Sequence, residues 1–342
     1  MKNETPNEPL ISVCIANYNG RNIIDDCIQS ILSQTGGHAV EILIHDDAST
    51  DDSAAYIRSH YPDVILIESQ GNVGYCVSNN RLVARASGDY ILLLNNDAAL
   101  FPDALSTLLE HARSLGSPAI LGLPQYDWES GALHDRGALV DPFLNAVPNM
   151  DPKRHDVALI AGACLWIDKT LWNDLGGFPE WFGSIAEDLY LCCQARLAGH
   201  PVRVLGTSGY RHRVGQSFGG GKVAARRLVT TFRRRALSER NKTFVMAITY
   251  PTPFMQLALL THLPLLLLEG IALSLLKLDS RYLREIYLPV FGELIQHGKV
   301  WSAARRLTQE KKSISNSKFF RVFDWQPYKI RMLARHGFPT LK

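Results

Sequence analysis

The first hundred residues alternate short apolar runs with segments of helical character, and this alternation most constrains what the chain can fold into. The runs are LISVCIA (10–16), EILIH (41–45), VILIE (64–68) and YILLL (90–94). Helices are predicted at 22–33, 52–60 and 77–86, and another begins at Pro102, because proline suits the first helical position. Continuous apolar strands separated by helices favour an α/β fold with a parallel or mostly parallel sheet and helices on both faces.

The pattern is less regular further along the chain. GALHDRGALVDP (131–142) is interpreted as a hairpin or a flap, and ALIAGACLWI (158–167) as another buried strand. A glycine-rich loop then leads to a helix that opens at Glu187 and Asp188, and PVRVL (201–205) is a further strand. In such sheets ligands bind where strands end at the carboxyl edge, so polar residues at those ends are the candidates for function.

Charge divides the chain into two unlike parts. Residues 1–202 hold 11 Lys or Arg against 26 Asp or Glu, whereas residues 203–342 hold 25 against 7. We therefore predict a first domain at 1–218 and a basic, helical second region at 219–342, with the boundary near the glycine-rich GQSFGGGK. A basic region suggests an anionic partner, such as a phosphate-bearing ligand, a nucleic acid or a membrane surface.

The cysteines and the N-terminus bear on the compartment. The six cysteines lie in apolar or helical contexts and form no CxxC pair, so they are predicted to be reduced core thiols of a cytosolic protein. The first ten residues, MKNETPNEPL, contain no apolar segment typical of a secretory signal.

Residues 257–276 (LALLTHLPLLLLEGIALSLL) contain 11 leucines in 20 positions and match the length of a membrane span. Glu269, His262 and Pro264 oppose insertion, however, and basic residues lie on both sides of the run. Three interpretations stay open: association with a membrane surface, a helical hairpin buried against the first domain, and a true span.

Polar clusters follow the predicted strands. ANYNG (16–20) follows the first and HDDASTDDS (45–53) the second. Helix capping accounts for residues 49–51 but not for Asp46. A carboxylate at a strand end can accept a hydrogen bond from the imide N–H of a pyrimidine base.

Three further clusters supply candidates. Asn72 and Gly74 can shape a turn before a helix, and Asp97 offers an oxygen ligand for Mg²⁺ or Mn²⁺ beside a nucleotide diphosphate. Asp188, in the first turn of a helix, is stabilised as an anion that can accept a proton, although acidic residues are common there. His212, in GYRHRVGQS, is either a metal ligand or an ordinary surface or core histidine.

These motifs, taken in order, resemble the family 2 glycosyltransferases with the GT-A fold over about residues 9–217. The resemblance implies a Rossmann-like, mostly parallel central sheet flanked by helices, with a basic and apolar helical C-terminal extension. It rests on eight motifs: ANYNG, DDASTDDS, NVGYCVSNN, GDYILLLNND, GACLWIDK, GGFPEWF, EDLYLCCQARLAG and H..GQS.

The resemblance also implies roles for single residues. Asp46 contacts the base of a nucleoside diphosphate sugar in a pocket lined by Asn17, Asn72 and Gly74. Asn95 and Asp97 take the places of the DxD motif, so that Asp97 holds Mn or Mg and the Asn95 amide reaches the ribose. Asp188 is the general base, Glu187 supports it and His212 completes the metal shell. Tyr190 and Pro179 stand where the family has Asp, and these departures concern the acceptor side.

The activity implied is an inverting transfer from dTDP-rhamnose or a UDP-sugar to a glycan or lipid-diphosphate-linked acceptor in cell-surface polysaccharide synthesis. The basic tail is similar to that of rhamnosyltransferase-type members. It predicts a peripheral protein on the anionic cytoplasmic face of the inner membrane.

Other activities are less consistent with the sequence. A nucleotidyltransferase needs a glycine-rich, basic loop near the first strand, and ANYNGRN has little Gly or Lys. GxGxxG is absent after that strand, and GGGKV (219–223) does not fit a P-loop. A non-catalytic nucleotide-sugar or polysaccharide-assembly binding module stays an alternative. A nucleic-acid partner is disfavoured, because the Arg-rich stretch lacks interleaved aromatic residues for stacking.

Overall fold

The computed structural model describes residues 10–215, 222–224, 227–337 and 340–341. Its strands in chain order are β1 (Ile11–Asn17), β2 (Val40–Asp46), β3 (Ile65–Glu68), β4 (Tyr90–Leu94), β5 (Ala98–Leu100), β6 (Ile120–Gly122), β7 (Gln125–Asp127), β8 (Leu133–Asp135), β9 (Ala138–Val140), β10 (Ala146–Pro148), β11 (Cys164–Asp168), β12 (Val202–Val204), β13 (Tyr210–His212), β14 (Lys222–Ala224), β15 (Arg227–Thr230) and β16 (Thr340–Leu341).

The helices flank the sheets and form most of the C-terminal region. They are α1 (Ile24–Leu32), α2 (Ser53–His60), α3 (Tyr75–Arg85), α4 (Ala104–Leu115), α5 (Lys169–Leu175), α6 (Glu187–Leu197), α7 (Phe232–Thr249), α8 (Phe254–Lys277), α9 (Leu288–Gln296), α10 (Gly298–Glu310), α11 (Asn316–Phe320) and α12 (Tyr328–His336). A 3₁₀ turn at Glu180–Phe182 precedes α6, and a π-helical segment, Tyr282–Tyr287, precedes α9.

A seven-stranded sheet forms the centre, in the order β12-β6-β11-β4-β1-β2-β3. All its strands are parallel except β11, which is antiparallel to both of its neighbours. The prediction of a mostly parallel α/β sheet is confirmed. The reversal of β11 places its first residue, Cys164, opposite the last residue of β4, Leu94, so the segment before β11 lies at the carboxyl edge.

Apolar side chains on both faces explain why the strands are continuous apolar runs. In β4, Ile91 and Leu93 join a core with α3, α5 and α6, whereas Leu92 and Leu94 join a core with α1, α2 and α4. Successive strand residues point to opposite faces, so a strand covered on both sides needs an apolar residue at every position. All six cysteines are buried, as predicted.

Several predicted elements differ from the structure in their bounds or pairing. The helix after Pro102 begins at Ala104 with Asp103 at its N-cap, so Pro102 is not its first residue. The strand predicted at 158–167 begins at Cys164, because a turn closed by Cys164 N–H and the Ala161 carbonyl (3.1 Å) precedes it. GALHDRGALVDP is not one hairpin: β8 pairs with β7 and β9 with β10.

A second sheet has the strand order β5-β13-β7-β8, and its strand β5 comes shortly after the carboxyl end of β4 along the chain. It pairs β13 with β5, so that His212 lies opposite Ala98, one residue after Asp97. Residues separated by more than a hundred positions are thereby brought to one edge.

The C-terminal helices are packed against the first part of the chain. Phe244, Val245 and Met246 of α7 are fully buried in the same core as α3 and α6, and Phe319 of α11 joins them. The boundary predicted between residues 218 and 219 lies outside the described residues.

Helix α8 contributes little to this core. Within the described residues it is the one helix long and apolar enough to cross a membrane, by length and composition alone. Only 22% of its most apolar stretch is buried, so the structure does not show the predicted alternative of a hairpin buried against the first domain. Pro264 lies inside it, and the helix continues from Phe254 to Lys277.

Candidate functional site

The ends of β1 and β2 form the first part of the site. Asn17 lies opposite Asp46 in the ladder, and its Nδ2 donates to Asp46 Oδ2 at 2.9 Å. Ser49 donates its backbone N–H to Asp46 Oδ1 (2.9 Å) and its hydroxyl to Oδ2 (2.7 Å). Since each carboxylate oxygen can accept two hydrogen bonds, these contacts leave Oδ1 able to accept one more.

The side-chain amide of Asn17 is held by that of Asn96, a residue that the sequence did not single out. Asn96 Nδ2 donates to Asn17 Oδ1 at 2.8 Å, and both residues are buried. A Cβ at Gly20 would lie 2.1 Å from Asn17 Oδ1 and 2.5 Å from Asn96 Nδ2. The glycine of ANYNG therefore leaves the space that this pair occupies.

The turn before α3 forms the second part. Asp47 accepts hydrogen bonds from the backbone N–H groups of Val73 (2.7 Å) and Gly74 (2.9 Å). Gly74 has φ +90°, which a residue with a side chain rarely adopts. Asn72 Nδ2 is 3.4 Å from the Asp47 carbonyl oxygen. Asn72 and Gly74 shape the turn as predicted, but no pattern in the sequence indicated that Asp47 would hold it.

Asp97 and His212 form a close pair beyond the end of β4. His212 Nε2 lies 3.0 Å from Asp97 Oδ1, and the exposed fractions of the two side chains are 12% and 1%. Two ligand atoms about 2.1 Å from one octahedral cation lie roughly 3.0 Å apart. The pair therefore fits a divalent cation. The described residues contain no group of three or more His, Cys, Asp or Glu suited to a metal, so further ligands have to come from elsewhere.

Asn95 lies beside this pair. Its Nδ2 is 3.5 Å from His212 Nε2, and its Oδ1 accepts a hydrogen bond from the Tyr75 hydroxyl at 3.2 Å. The structure brings Asn95, Asp97 and His212 together, as expected from the sequence.

Another part of the site is the first turn of α6, which carries two adjacent carboxyl groups, those of Glu187 and Asp188. Glu187 is buried, while Asp188 is half-buried and accepts a hydrogen bond from the Gly162 N–H at 3.0 Å. A second hydrogen bond reaches Asp188 Oδ1 from Leu189 N–H at 2.7 Å. The predicted start of this helix at Glu187 is confirmed.

The two carboxyl groups resist ionisation. Burial, with the nearby Asp188, raises the pKa of Glu187 to about 8. Burial also raises the pKa of Asp188, although the Gly162 and Leu189 N–H groups and the Arg234 guanidinium of α7 oppose the shift. Near neutral pH Glu187 is thus expected to keep its proton, so the pair does not carry two adjacent negative charges.

Tyr75 lies between the carboxylate pair, Glu187 and Asp188, and the pair formed by Asp97 and His212. Its hydroxyl lies 3.2 Å from Asn95 Oδ1 and 3.1 Å from the Gly162 carbonyl oxygen, and Gly162 in turn donates to Asp188. A Cβ at Gly162 would be 2.9 Å from the Tyr75 oxygen. Sequence reasoning missed both residues, although they stand inside the motifs NVGYCVSNN and GACLWIDK.

The sequence itself matches a known family. Residues 12–174 match Glycosyl transferase family 2. This segment includes Asn17, Asp46, Asn72, Gly74, Asn95 and Asp97 and ends before α6.

Relatives and solved structures extend the comparison. Chondroitin synthase of Escherichia coli is 39% identical over 188 residues, which are 54% of this chain and 26% of that protein. N-acetylglucosaminyl-diphospho-decaprenol L-rhamnosyltransferase of Mycobacterium tuberculosis is 25% identical over 191 residues, which are 47% of this chain and 62% of that protein. The chain thus spans less than two thirds of either relative.

The crystal structure of GalNAc-T7 with UDP, GalNAc and Mn²⁺ superimposes with a TM-score of 0.63 at 13% identity, over 98% of this chain and 60% of that one. At this identity the likeness concerns the fold alone. Residues 12–174 are therefore similar in sequence to glycosyl transferase family 2, and the chain has the GT-A fold.

Proposed function

We propose that the protein is an inverting glycosyltransferase that moves a sugar from a nucleoside diphosphate sugar to a glycan or lipid-linked acceptor in cell-surface polysaccharide synthesis. The observation that carries this proposal is the chain of contacts across one sheet edge. It runs from Asp97 and His212 through Asn95, Tyr75 and Gly162 to Asp188. A site for a leaving diphosphate and a carboxylate base thus belong to one connected unit.

Asp188 acts as the general base. It takes the proton from the acceptor hydroxyl while the hydroxyl oxygen attacks the anomeric carbon and the bond to the diphosphate breaks. Glu187 supports it by keeping its own proton, which avoids two adjacent negative charges. A single displacement by one base needs no covalent nucleophile and inverts the configuration at the anomeric carbon.

The nucleotide end of the donor lies at β1, β2 and the turn before α3. Asp46 accepts from the imide N–H of the base, and Asn17, Asn72 and Gly74 form the wall of the pocket. Asn95 reaches the ribose through its amide. Uridine and thymidine both carry the imide. The structure of GalNAc-T7 contains UDP, and the relative from Mycobacterium tuberculosis is an L-rhamnosyltransferase; these two proteins support a UDP-sugar or dTDP-rhamnose as the donor.

Asp97 and His212 would hold Mn or Mg. The 3.0 Å spacing of their ligand atoms and the carboxylate and imidazole groups fit such a cation, and diphosphate oxygens of the sugar donor would supply further ligands. When bound, the cation stabilises negative charge on the leaving diphosphate. The presence of Mn²⁺ in the structure of GalNAc-T7, which shares the fold, supports this assignment.

The acceptor side faces a membrane surface in this proposal, and the orientation of α8 supports it. The inward face of α8 holds Glu269 and His262. Glu269 pairs with Arg235 and Lys329, each at 2.8 Å, and His262 Nε2 lies 2.9 Å from the Thr243 hydroxyl. The outward face exposes a row of leucines, namely Leu257, Leu260, Leu265, Leu268, Leu275 and Leu276.

This arrangement removes the main objection to membrane contact. The groups that oppose insertion are paired inside the protein, and the apolar face is left for the bilayer. Residues 203–342 carry a net charge of +18, which complements anionic lipid headgroups. A lipid-diphosphate-linked acceptor would be presented at that surface.

The substitution Asp188→Asn tests the proposed reaction. It removes the base but keeps the size of the side chain, so transfer should fall by a factor of about 10³ or more while donor affinity stays within about threefold. Sugar transfer from UDP- and dTDP-sugars is measured with Mn²⁺ or Mg²⁺, and donor affinity by calorimetry.

Asp89→Asn is the matched control, since Asp89 is exposed just before β4, at the opposite edge of the sheet. Full transfer by the Asp188→Asn protein would rule out the proposed base.

A further inference from the structure

The backbone before the carboxylate pair adopts an unusual conformation. Gly183, Ile185 and Ala186 have φ values of +72°, +71° and +68°. Left-handed backbone is uncommon for alanine and still rarer for a β-branched residue such as isoleucine. Such a conformation persists only where the surroundings hold it, and it is often found next to functional residues.

The C-terminal helix α7 supplies the groups that hold this turn. Asn241 is fully buried, and its Nδ2 lies 2.7 Å from the carbonyl oxygen of Ile185, 2.9 Å from that of Ser184 and 3.2 Å from that of Phe182. Arg240 Nη2 donates to the carbonyl oxygens of Phe182 (2.8 Å) and Trp181 (3.2 Å). Two adjacent side chains of α7 thus contact every carbonyl oxygen from residue 181 to residue 185 apart from that of Gly183.

The carbonyl oxygen of Gly183 is held from the other side. Cys76 N–H in the first turn of α3 donates to it at 3.0 Å, and a Cβ on Gly74 would lie 3.3 Å from it. The turn therefore touches the predicted nucleotide-binding segment, the carboxylate pair and α7 at once.

Helix α7 is itself held in place by buried contacts. Lys242, next to Asn241, donates from Nζ to Asn145 Oδ1 at 2.6 Å, and Nζ lies 3.4 Å from Glu239 Oε2. Glu239 and Asn241 are both fully buried. A side chain on such a helix can set the position of a neighbouring turn, because the helix cannot shift to follow it.

We propose that Asn241 is a positioning residue for catalysis: its amide holds the turn 182–186 so that Asp188 faces the acceptor hydroxyl. The inference deepens the proposed function and rests on it. It makes the C-terminal region part of the catalytic apparatus through Asn241 and Arg240, in addition to any contact with a membrane.

Asn241→Asp tests the proposal. The change keeps the shape of the side chain but replaces the donor by an acceptor that faces the carbonyl oxygens. We expect kcat to fall by roughly 10-fold to 100-fold, as for a base displaced by about 1 Å, while donor affinity stays within about threefold. Hydrogen exchange of the amides between residues 183 and 190 should become faster.

Thr249→Val is the matched control. Thr249 is also fully buried in α7, and its hydroxyl donates to the Val245 carbonyl oxygen in the same helix. This variant should lose thermal stability but keep kcat and the exchange pattern of the turn. Arg240→Ala is the second test variant, since Arg240 is only partly buried and the protein should fold without it; its kcat should fall several-fold.

The results separate the two proposals. If Asn241→Asp and Arg240→Ala keep the kcat and the exchange rates of the Thr249→Val protein while Asp188→Asn is inactive, the positioning role is overturned and the proposed function stands. The positioning role would also be overturned if kcat and donor affinity fell together in these two variants and their melting temperature was reduced. Faster exchange in the turn together with full activity of Asp188→Asn would instead contradict the proposed function.

Discussion

Glu187 lies where burial and the neighbouring carboxyl group of Asp188 both disfavour its ionised form, so its pKa rises to about 8. The groups that face it are Asp188 on the same helix, Arg234 of α7, whose charge favours ionisation, and Tyr75 and Cys76 of α3. Its ordinary pKa is near 4.5, so between these two values folding takes up a proton. Stability should therefore fall as pH rises through this window.

Glu187→Gln should remove this part of the pH dependence. Because glutamine does not titrate, the loss in free energy of unfolding between pH 5 and pH 9 should be smaller in the variant by at least about 1 kcal/mol. Urea denaturation at both pH values measures it, and Glu310→Gln, at an exposed position of α10, is the control. Parallel stability curves for the Glu187→Gln and wild-type proteins would contradict the raised pKa.

Tyr75 shows why a residue inside a motif can be overlooked. Its hydroxyl joins Asn95 to the Gly162 carbonyl oxygen, positions that are 20 and 87 residues away along the chain. The sequence pattern around Tyr75 predicts a helix. The same pattern would occur if the tyrosine hydroxyl made no polar contact, so the pattern does not reveal the role of Tyr75.

Helix α7 is the element on which the C-terminal region depends. Glu239 is fully buried, with Arg235 Nε at 3.0 Å, Lys329 Nζ at 2.9 Å and Lys242 Nζ at 3.4 Å from its carboxylate oxygens. Burial opposes the ionisation of Glu239, but Lys242, Lys329 and Arg235 outweigh it and hold its pKa well below the usual range. Glu239 thus contacts all three cations, and Glu269 of α8 shares Arg235 and Lys329 with it.

Glu239→Gln should destabilise the protein strongly. It leaves the cations without their central anion, and removal of one partner from a buried ion pair typically costs about 3–5 kcal/mol. The free energy of unfolding from urea titration measures the effect, with Glu310→Gln again as the exposed control. A loss similar to that of the control would show that Glu239 is not the centre of the cluster.

At the scale of the whole molecule, an acidic α/β part and a basic helical part share one core, and the apolar face of α8 lies on the outside. Leu260, Leu268 and Leu275 are 74%, 60% and 70% exposed on that face. Exposed leucines along one helix beside basic residues are typical of a protein that lies on a membrane surface.

Replacement of Leu260, Leu268 and Leu275 by glutamine should weaken binding to anionic vesicles by more than about 10-fold, because each leucine gains about 1.5–3 kcal/mol when fully buried. Vesicle sedimentation measures binding. Glutamine is a good helix former, so α8 should stay intact.

The control replaces Leu32 and Met150, which are 60% and 53% exposed in the first part of the chain. These changes should leave vesicle binding unaltered. Equal sedimentation of the α8 variant and the wild-type protein would exclude α8 as the membrane contact.

The polar residues at the sheet edge could be predicted because strand ends are local features. A buried strand stays apolar until it reaches the edge of the sheet, so the first polar residues after it, Asp46 and the 95–97 segment, mark that edge. The order of the motifs then indicated the family, and the family match bears this out.

The direction of β11 could not be predicted, because an apolar run has the same pattern in either direction. Its reversal brings Gly162 to the site, where it donates to Asp188. The sequence interpretation instead placed Gly162 within a strand that begins at 158, which hides this role.

The sequence by itself determined the alternation of strands and helices, the polar residues at strand ends and the basic tail. All of these follow from the burial or charge of neighbouring residues. Only the tertiary structure decided that Asn241 holds the turn before Asp188, that Tyr75 joins the two halves of the site, and that α8 turns Glu269 inward and its leucines outward. These features depend on contacts between residues far apart along the chain, and such contacts form only when packing brings separate helices and strands together.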